Sequence, residues 1–147
     1  MVTGVWFFIN YCDIVIKNIR RINIRKAELN DVDMLLDMKL DIILSSEEIA
    51  ELDKRELEKI VNYSEEEIRE NLEDYKIIED DDRNVIGIYA LFDYDDGKLL
   101  DTIYVINSNR RKGIGTRIIK NIILNNYQPI YLWVYKSNKL AVNYMKN

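Results

Sequence analysis

The chain of 147 residues contains no histidine and a single cysteine, Cys12. A disulfide needs two cysteines and a Cys/His zinc site needs several such ligands, so neither can form within the chain. The missing histidine also excludes Ser-His-Asp and Cys-His catalysis, in which imidazole is the general base. Any acid–base chemistry must use Asp, Glu, Tyr, Lys or water. A metal held by carboxylates alone stays possible, but we predict none.

The sequence also has little that suits a nucleic acid or a membrane. Its formal charge is −5, from 21 basic and 26 acidic residues, and no basic tract is long enough to suggest binding to phosphate backbones. The apolar stretch 5–16 contains Asn10 and Asp13 and is shorter than the roughly 20 residues of a membrane-spanning helix. It lacks the basic start and the cleavage site of a signal peptide. We therefore expect a cytoplasmic protein that binds neither nucleic acid nor membranes.

The length and a hydrophobic content of 48% suit one core of ordinary size, and hence one domain. Hydrophobic periodicity and turn residues predict alternating strands and helices, with the first helix capped by Asn30 or Asp31. Two charged helices are expected between residues 45 and 74, the second opening with a capping box of Ser64 and Glu67. The predicted strands cover 22–26, 75–78, 85–92, 99–106 and 130–135, and the later helices begin at Ile114 and Asn138.

This order predicts an α/β (α+β) fold with a mixed, mostly antiparallel sheet flanked by helices. Residues 75–106 read as an antiparallel meander, whereas the strand-helix-strand unit at 99–135 favours a parallel pair. Residues 1–21 are rich in β-prone and aromatic side chains, which makes them an N-terminal β-prone extension.

The loop at residues 110–116 lies between a predicted strand and a predicted helix. Gly113 and Gly115 would let backbone amides approach a ligand closely, the helix N-terminus adds a positive dipole end, and cations precede both glycines. A diphosphate would be well held there. The residues do not fit a Rossmann fingerprint, which needs a glycine where Ile118 stands, or a P-loop, whose Gly-Lys-Ser/Thr ending is missing from the chain. A plain strand-to-helix turn with basic solubilising residues is the alternative.

Residues 100–116 resemble motif A of the GNAT superfamily of acetyltransferases, whose loop pattern is Gln/Arg-x-x-Gly-x-Gly/Ala. Arg110, Gly113 and Gly115 fill that pattern, although Asn107 stands where many members have proline. The segment 130–134 followed by Asn138-x-x-Ala141 is similar to motif B, and residues 22–27 are similar to the family's first strand. The resemblance covers roughly residues 22–147, which we expect to be a GNAT acetyltransferase domain.

The resemblance implies transfer of an acetyl group from acetyl-coenzyme A, the co-substrate, to a primary amine of a small molecule or peptide. Amides of the loop would bind the pyrophosphate, and the motif A strand would splay from its neighbour so that its backbone pairs with the pantetheine arm. One of those strand amides would polarise the thioester carbonyl. The implied cofactor-binding residues are Tyr104, Val105, Ile106, Arg110, Arg111, Lys112, Gly113, Ile114, Gly115, Thr116 and Asn138.

Two catalytic residues are further expected from the resemblance. Asp101, on the motif A strand, stands where family members often carry a general base that acts through water; an ordinary exposed strand acid is the alternative. The family's usual acid is the tyrosine of Ala-x-x-Phe-Tyr, but here Ala141-Val142-Asn143-Tyr144-Met145 is offset by one residue. Tyr144 is therefore either the acid or a packing residue.

The chain also stops at Asn147, where the family normally continues with two more strands. We expect the fold to lack them, and residues 1–21 to replace them within one chain or by strand exchange in a homodimer. A catalytically inactive acyl-coenzyme A binding or sensory module is then the alternative function. An α/β domain that uses its charged helices as a protein interface is a third.

Overall fold

A six-stranded sheet forms the centre of the computed structural model, which describes residues 4–9, 22–45, 50–110, 112–135, 139 and 142–143, with backbone only for 4–9 and 135. In chain order the strands are β1 (Gly4–Ile9), β2 (Asn23–Lys26), β3 (Tyr75–Glu79), β4 (Val85–Tyr94), β5 (Gly97–Val105) and β6 (Ile130–Tyr135). Their order across the sheet is β1-β6-β5-β4-β3-β2. The helices are α1 (Val32–Leu44), α2 (Lys54–Glu70) and α3 (Ile114–Leu124).

The strand pairing confirms the predicted mixed sheet. Strands β2 to β5 form an antiparallel meander, and β5 and β6 are parallel, joined by α3. Strand β1 pairs antiparallel with β6, with Gly4 opposite Tyr135 and Ile9 opposite Ile130. The β-prone N-terminal segment therefore extends the sheet beyond β6 within the same chain.

The helices cover opposite faces of the sheet because neighbouring strand residues point to opposite sides. Ile78 and Tyr89 pack with the buried isoleucines of α3, whereas Ile77 and Ile88 pack with Val32 and Leu35 of α1 and with Ile68 of α2. Two apolar clusters result, one on each face. The meander between them holds the α1–α2 pair and α3 on either side of β5.

Of the two residues predicted to cap α1, Asn30 and Asp31, the N-cap is Asp31, and it also ties the helix to β2. Both terminal nitrogens of Arg25 donate to its carboxylate, Nη1 to Oδ2 at 2.8 Å and Nη2 to Oδ1 at 2.9 Å. These charge-assisted bonds hold the pKa of Asp31 below its usual range. The pair fixes the start of α1 against the outer strand.

The predicted helix start at Ser64 is wrong. Helix α2 runs without a break from Lys54 to Glu70, and its capping box is formed by Asp53 and Glu56, which exchange bonds of 2.8 and 2.9 Å. Ser64 lies inside the helix, on the same buried face as Ile68. A serine followed three residues later by glutamate caps a helix only where the chain enters one, and here it falls mid-helix.

A close backbone contact at Gly97 sets the spacing where β5 and β6 begin. A Cβ at Gly97 would lie 2.1 Å from the carbonyl oxygen of Pro129, and the same oxygen accepts a 2.9 Å bond from Lys98 N–H.

Replacing Gly97 with alanine should therefore destabilise the protein by about 2–3 kcal/mol, because the backbone must shift to admit the methyl group. Thermal unfolding should show a melting temperature about 5–10 °C lower. Gly115→Ala is the matched control, since a Cβ there meets nothing within 4 Å. Equal melting temperatures for the two variants would contradict the close contact.

Candidate functional site

The sheet opens between β5 and β6. In the described strands their parallel register covers only residues 98–100 of β5 and 130–132 of β6, although β5 continues to Val105 and β6 to Tyr135. Beyond Leu100, none of the described strands pairs with the side of β5 that faces β6. This split is the splay that the sequence resemblance implies.

Asp101 lies where the split begins. Leu100 is opposite Leu91 and Thr102 is opposite Ala90, so Asp101 has no counterpart in β4 and forms a β-bulge. Its side chain is exposed, whereas Thr102 is buried and donates a 3.2 Å bond from Oγ1 to Asp101 Oδ2. The bulge turns a carboxylate outward at the point where the two strands part.

The backbone of β5 alternates between β4 and the split. Ile106 N–H donates to Ile86 O at 2.9 Å, so its amide is already bonded to the neighbouring chain segment. By the alternation of an antiparallel ladder, Tyr104 also bonds towards β4, whereas Ile103 and Val105 face the split. Of the three strand residues predicted to meet a cofactor, Val105 is therefore the one whose backbone faces the opening.

A cleft of about 940 Å³ passes through the split, bounded by α1, α2, β5, β6 and the start of α3. The structure brings seven of the predicted site residues to it: Asp101, Val105, Arg110, Gly113, Ile114, Gly115 and Thr116. Lys112 is exposed and does not line it. Arg111, Asn138 and Tyr144 lie outside the described residues, so their predicted roles stay predictions.

The N-terminus of α3 points a positive dipole end at one side of the cleft. Gly113 is the N-cap and has a φ of 74°, a left-handed conformation that costs glycine little. The first-turn N–H groups of a helix have no partner within the helix. The first turns of α1 and α2 contain Asp33 and Glu56, whereas the described first turn of α3 contains no acid. An anion is therefore favoured there.

Arg110 holds the loop against β5. Its Nε–H donates to Val105 O at 2.7 Å, and its guanidinium carbon lies 5.0 Å from the centroid of the Tyr104 ring. Asp41 of α1 accepts a 2.6 Å bond from Tyr104 O–H and lies 3.8 Å from Arg110 Nη2. The bond to Asp41 raises the pKa of Tyr104. Arg110 thus positions the loop and brings its charge to the cleft.

A second polar group, which the sequence analysis did not identify, lies on the α1–α2 side of the cleft. Glu67 Oε2 accepts a 2.7 Å bond from the O–H of the fully buried Tyr75 and also contacts Lys39 Nζ. Lys39 Nζ donates to the hydroxyl oxygen of Tyr75 at 3.0 Å. Burial, and then the bond to Glu67, raise the pKa of Tyr75 far above its usual value. Tyr75 is therefore a neutral donor.

The sequence gives only a weak indication that Lys39, Glu67 and Tyr75 come together. Glu67 and Lys39 both line the cleft, and their side chains are 17% and 12% exposed. Glu67 directly precedes Ile68, a fully buried residue of α2, so it lies at the border of the buried face. Because α2 is rich in acidic residues, a glutamate at such a position is easily assigned to the solvent-exposed face of the helix.

Within the described parts of the chain, no helix is long and apolar enough to span a membrane. The same residues contain no group of three or more Asp, Glu, Cys or His side chains that could hold a metal ion. The predictions of a metal-free site and of no membrane binding stay predictions.

Comparison with known proteins yields one family. The model of the acetyltransferase (GNAT) family matches residues 41–147, which include most of the cleft. A search of curated proteins returned no match.

Solved structures of acetyltransferases share the fold. One, described as histone acetyltransferase HPA2 and related acetyltransferase from Corynebacterium glutamicum, has a TM-score of 0.64 at 14% identity, with 85% of this chain and 82% of that chain covered. A GNAT-family acetyltransferase from Staphylococcus aureus Mu50 has a TM-score of 0.62 at 19% identity, with 86% and 82% covered. PaiA N-acetyltransferase from Thermoplasma acidophilum, solved in complex with coenzyme A, has a TM-score of 0.59 at 18% identity, with 86% and 87% covered.

Proposed function

The chain belongs to the acetyltransferase (GNAT) family, and we propose that it transfers an acetyl group from acetyl-coenzyme A directly to a primary amine. The observation that carries this proposal is the split between β5 and β6 beside the N-terminus of α3. We further propose that residues 22–147 form the acetyltransferase domain and that the N-terminal extension contributes β1 to its sheet.

The residues at the start of α3 suit a diphosphate. A Cβ at Gly113 or Gly115 would meet nothing within 4 Å, so the glycines leave open space beside the backbone. The helix dipole and the charge of Arg110 favour an anion in that space, and no acid of the first turn opposes it. This is the support for binding coenzyme A through its pyrophosphate.

The exposed backbone of β5 suits the pantetheine arm, which carries amides of its own. The backbones of Val105 and Ile103 face the split, and Val105 N–H together with the N–H and C=O of Ile103 can extend the sheet by pairing with those amides; Val105 C=O already accepts from Arg110. The thioester supplies an activated acyl group. We propose that Val105 N–H donates to its carbonyl oxygen and so stabilises the negative charge that develops there during attack.

Asp101 is our proposal for the general base. An ammonium ion must lose a proton before its nitrogen can attack a thioester. The bulge places the Asp101 carboxylate in the cleft, at the point where β5 and β6 part. Thr102 Oγ1 donates to one oxygen of that carboxylate and so fixes its position. Tyr144 remains our proposal for the acid that protonates the leaving thiolate.

Two measurements on the purified chain test this function. Calorimetric titration should show saturable binding of acetyl-coenzyme A, and thiol release should then depend on an added primary amine. No binding of acetyl-coenzyme A would refute the proposal. Binding without thiol release for any amine tested would instead favour the non-catalytic module.

A further inference from the structure

The cleft has a second side that the pyrophosphate and pantetheine would not fill, between α1, α2 and the bulge of β5. Building on the proposed function, we propose that this side binds a primary amine with an apolar body and no carboxylate beside the nitrogen. An arylalkyl or alkyl monoamine has that chemistry, whereas an α-amino acid does not. We call this side the acceptor arm; its lining includes Lys39, Ile42, Ile43, Tyr63, Glu67, Phe92 and Asp101.

The apolar part of the acceptor arm favours a hydrocarbon or aromatic body. Ile42 and Ile43 lie in the last turn of α1, and Phe92 lies on β4. Phe92 also packs edge-on against the Tyr75 ring, with centroids 6.2 Å apart. These three side chains offer contact surface but no hydrogen bonds, so a polar substituent packed against them would lose its water without replacement.

The charges of the acceptor arm favour an ammonium group and oppose a carboxylate. Asp101 and Glu67 bring two negative charges, and among the described residues of this arm Lys39 is the one cation. Lys39 is already bonded to Glu67 and to Tyr75 O–H. A substrate carboxylate would therefore meet Asp101 without a cation to pair with, and burying an unpaired charge is costly.

Contacts from two neighbouring elements already engage the ammonium group of Lys39. Glu67 on α2 and Tyr75 on β3 both bind it, and the Tyr75 ring lies 5.8 Å from its Nζ. The three side chains lie in one connected group, with Tyr75 O–H also donating to Glu67 Oε2. Lys39 thus links α1 to α2 and β3, and the carboxylate of Glu67 neutralises its positive charge.

Phenethylamine and phenylalanine test the proposal because they share ring, chain and amine and differ only by the carboxylate. Calorimetry on the chain saturated with coenzyme A, or on the free chain if coenzyme A does not bind, should give phenethylamine at least a tenfold lower dissociation constant. Equal affinities, tighter binding of phenylalanine, or no binding of phenethylamine would overturn the proposal. Failure to bind coenzyme A would instead count against the proposed function.

Glu67→Gln tests the role of the paired lysine. Removing the carboxylate frees the Lys39 charge to meet a substrate carboxylate, so the preference for phenethylamine should fall at least fivefold. Glu66→Gln is the matched control, because it removes the same charge from the preceding residue of α2, whose side chain is exposed. Thermal unfolding checks that both variants fold. An unchanged preference in a folded Glu67→Gln variant would show that Lys39 does not set the selectivity, and would overturn the proposal.

Discussion

Replacing Gly115 with aspartate should raise the dissociation constant for acetyl-coenzyme A at least a hundredfold while the protein stays folded. Gly115 lies in the first turn of α3 and lines the cleft, so the new carboxylate would stand where the diphosphate is proposed to bind. Two like charges about 4 Å apart repel by about 4 kcal/mol near a protein surface, more than a hundredfold change in affinity requires. Calorimetric titration measures the effect.

The same substitution should not lower the melting temperature. A Cβ at Gly115 enters open space, and an acid in the first turn of a helix typically stabilises it by about 0.3–1 kcal/mol. Gly115→Ala separates size from charge, since it adds only a methyl group. At Gly113, with its φ of 74°, any side chain would strain the backbone as well. Undiminished binding by a folded Gly115→Asp variant would rule out a diphosphate at this helix.

Replacing Asp101 with asparagine should lower kcat at least a hundredfold and leave the affinity for acetyl-coenzyme A within about twofold. The change keeps the size of the side chain and its bond from Thr102, but it removes the group proposed to accept the proton of the amine. Positioned general bases typically contribute about 10²- to 10⁴-fold. Steady-state kinetics at saturating amine give kcat, and a separate titration gives the affinity.

Asp93→Asn provides the control for the Asp101 variant. Asp93 lies on the adjacent strand with its side chain 91% exposed, and it pairs with Lys98 outside the cleft. Its loss removes the same charge from the same sheet and should leave kcat unchanged. If both variants keep the wild-type kcat, Asp101 is only an exposed strand acid, and Glu67 becomes the carboxylate to test as the base.

The parts of the site that were predicted from the sequence depend on local conformation. Gly113 and Gly115 mark a helix start whose shape is set by a few consecutive residues, so the loop pattern alone locates it. The bulge at Asp101 is different, because it exists only relative to the pairing of β4 with β5. No pattern along β5 itself marks which residue lacks a counterpart.

The group of Lys39, Glu67 and Tyr75 could not be predicted for a related reason. Its members come from two helices and a strand, and they meet only after α1 packs against α2. Each residue alone is typical of its element: a lysine among apolar residues, a glutamate in an acidic run, a tyrosine opening a strand. The same local ambiguity placed a helix start at Ser64, where the pattern of residue types matches a cap but the chain is already helical.

The pairing of β1 with β6 also has a consequence for how the chain folds. Ile9 of β1 pairs with Ile130 of β6, so their contact closes a loop of about 120 residues. Such long-range contacts slow folding, because the entropy of closure is lost before the pairing compensates for it. During synthesis the first strand leaves the ribosome long before its partner exists. Until the two meet, β6 has an open edge that other chains can pair with, so this strand pair is where we expect misassembly to begin.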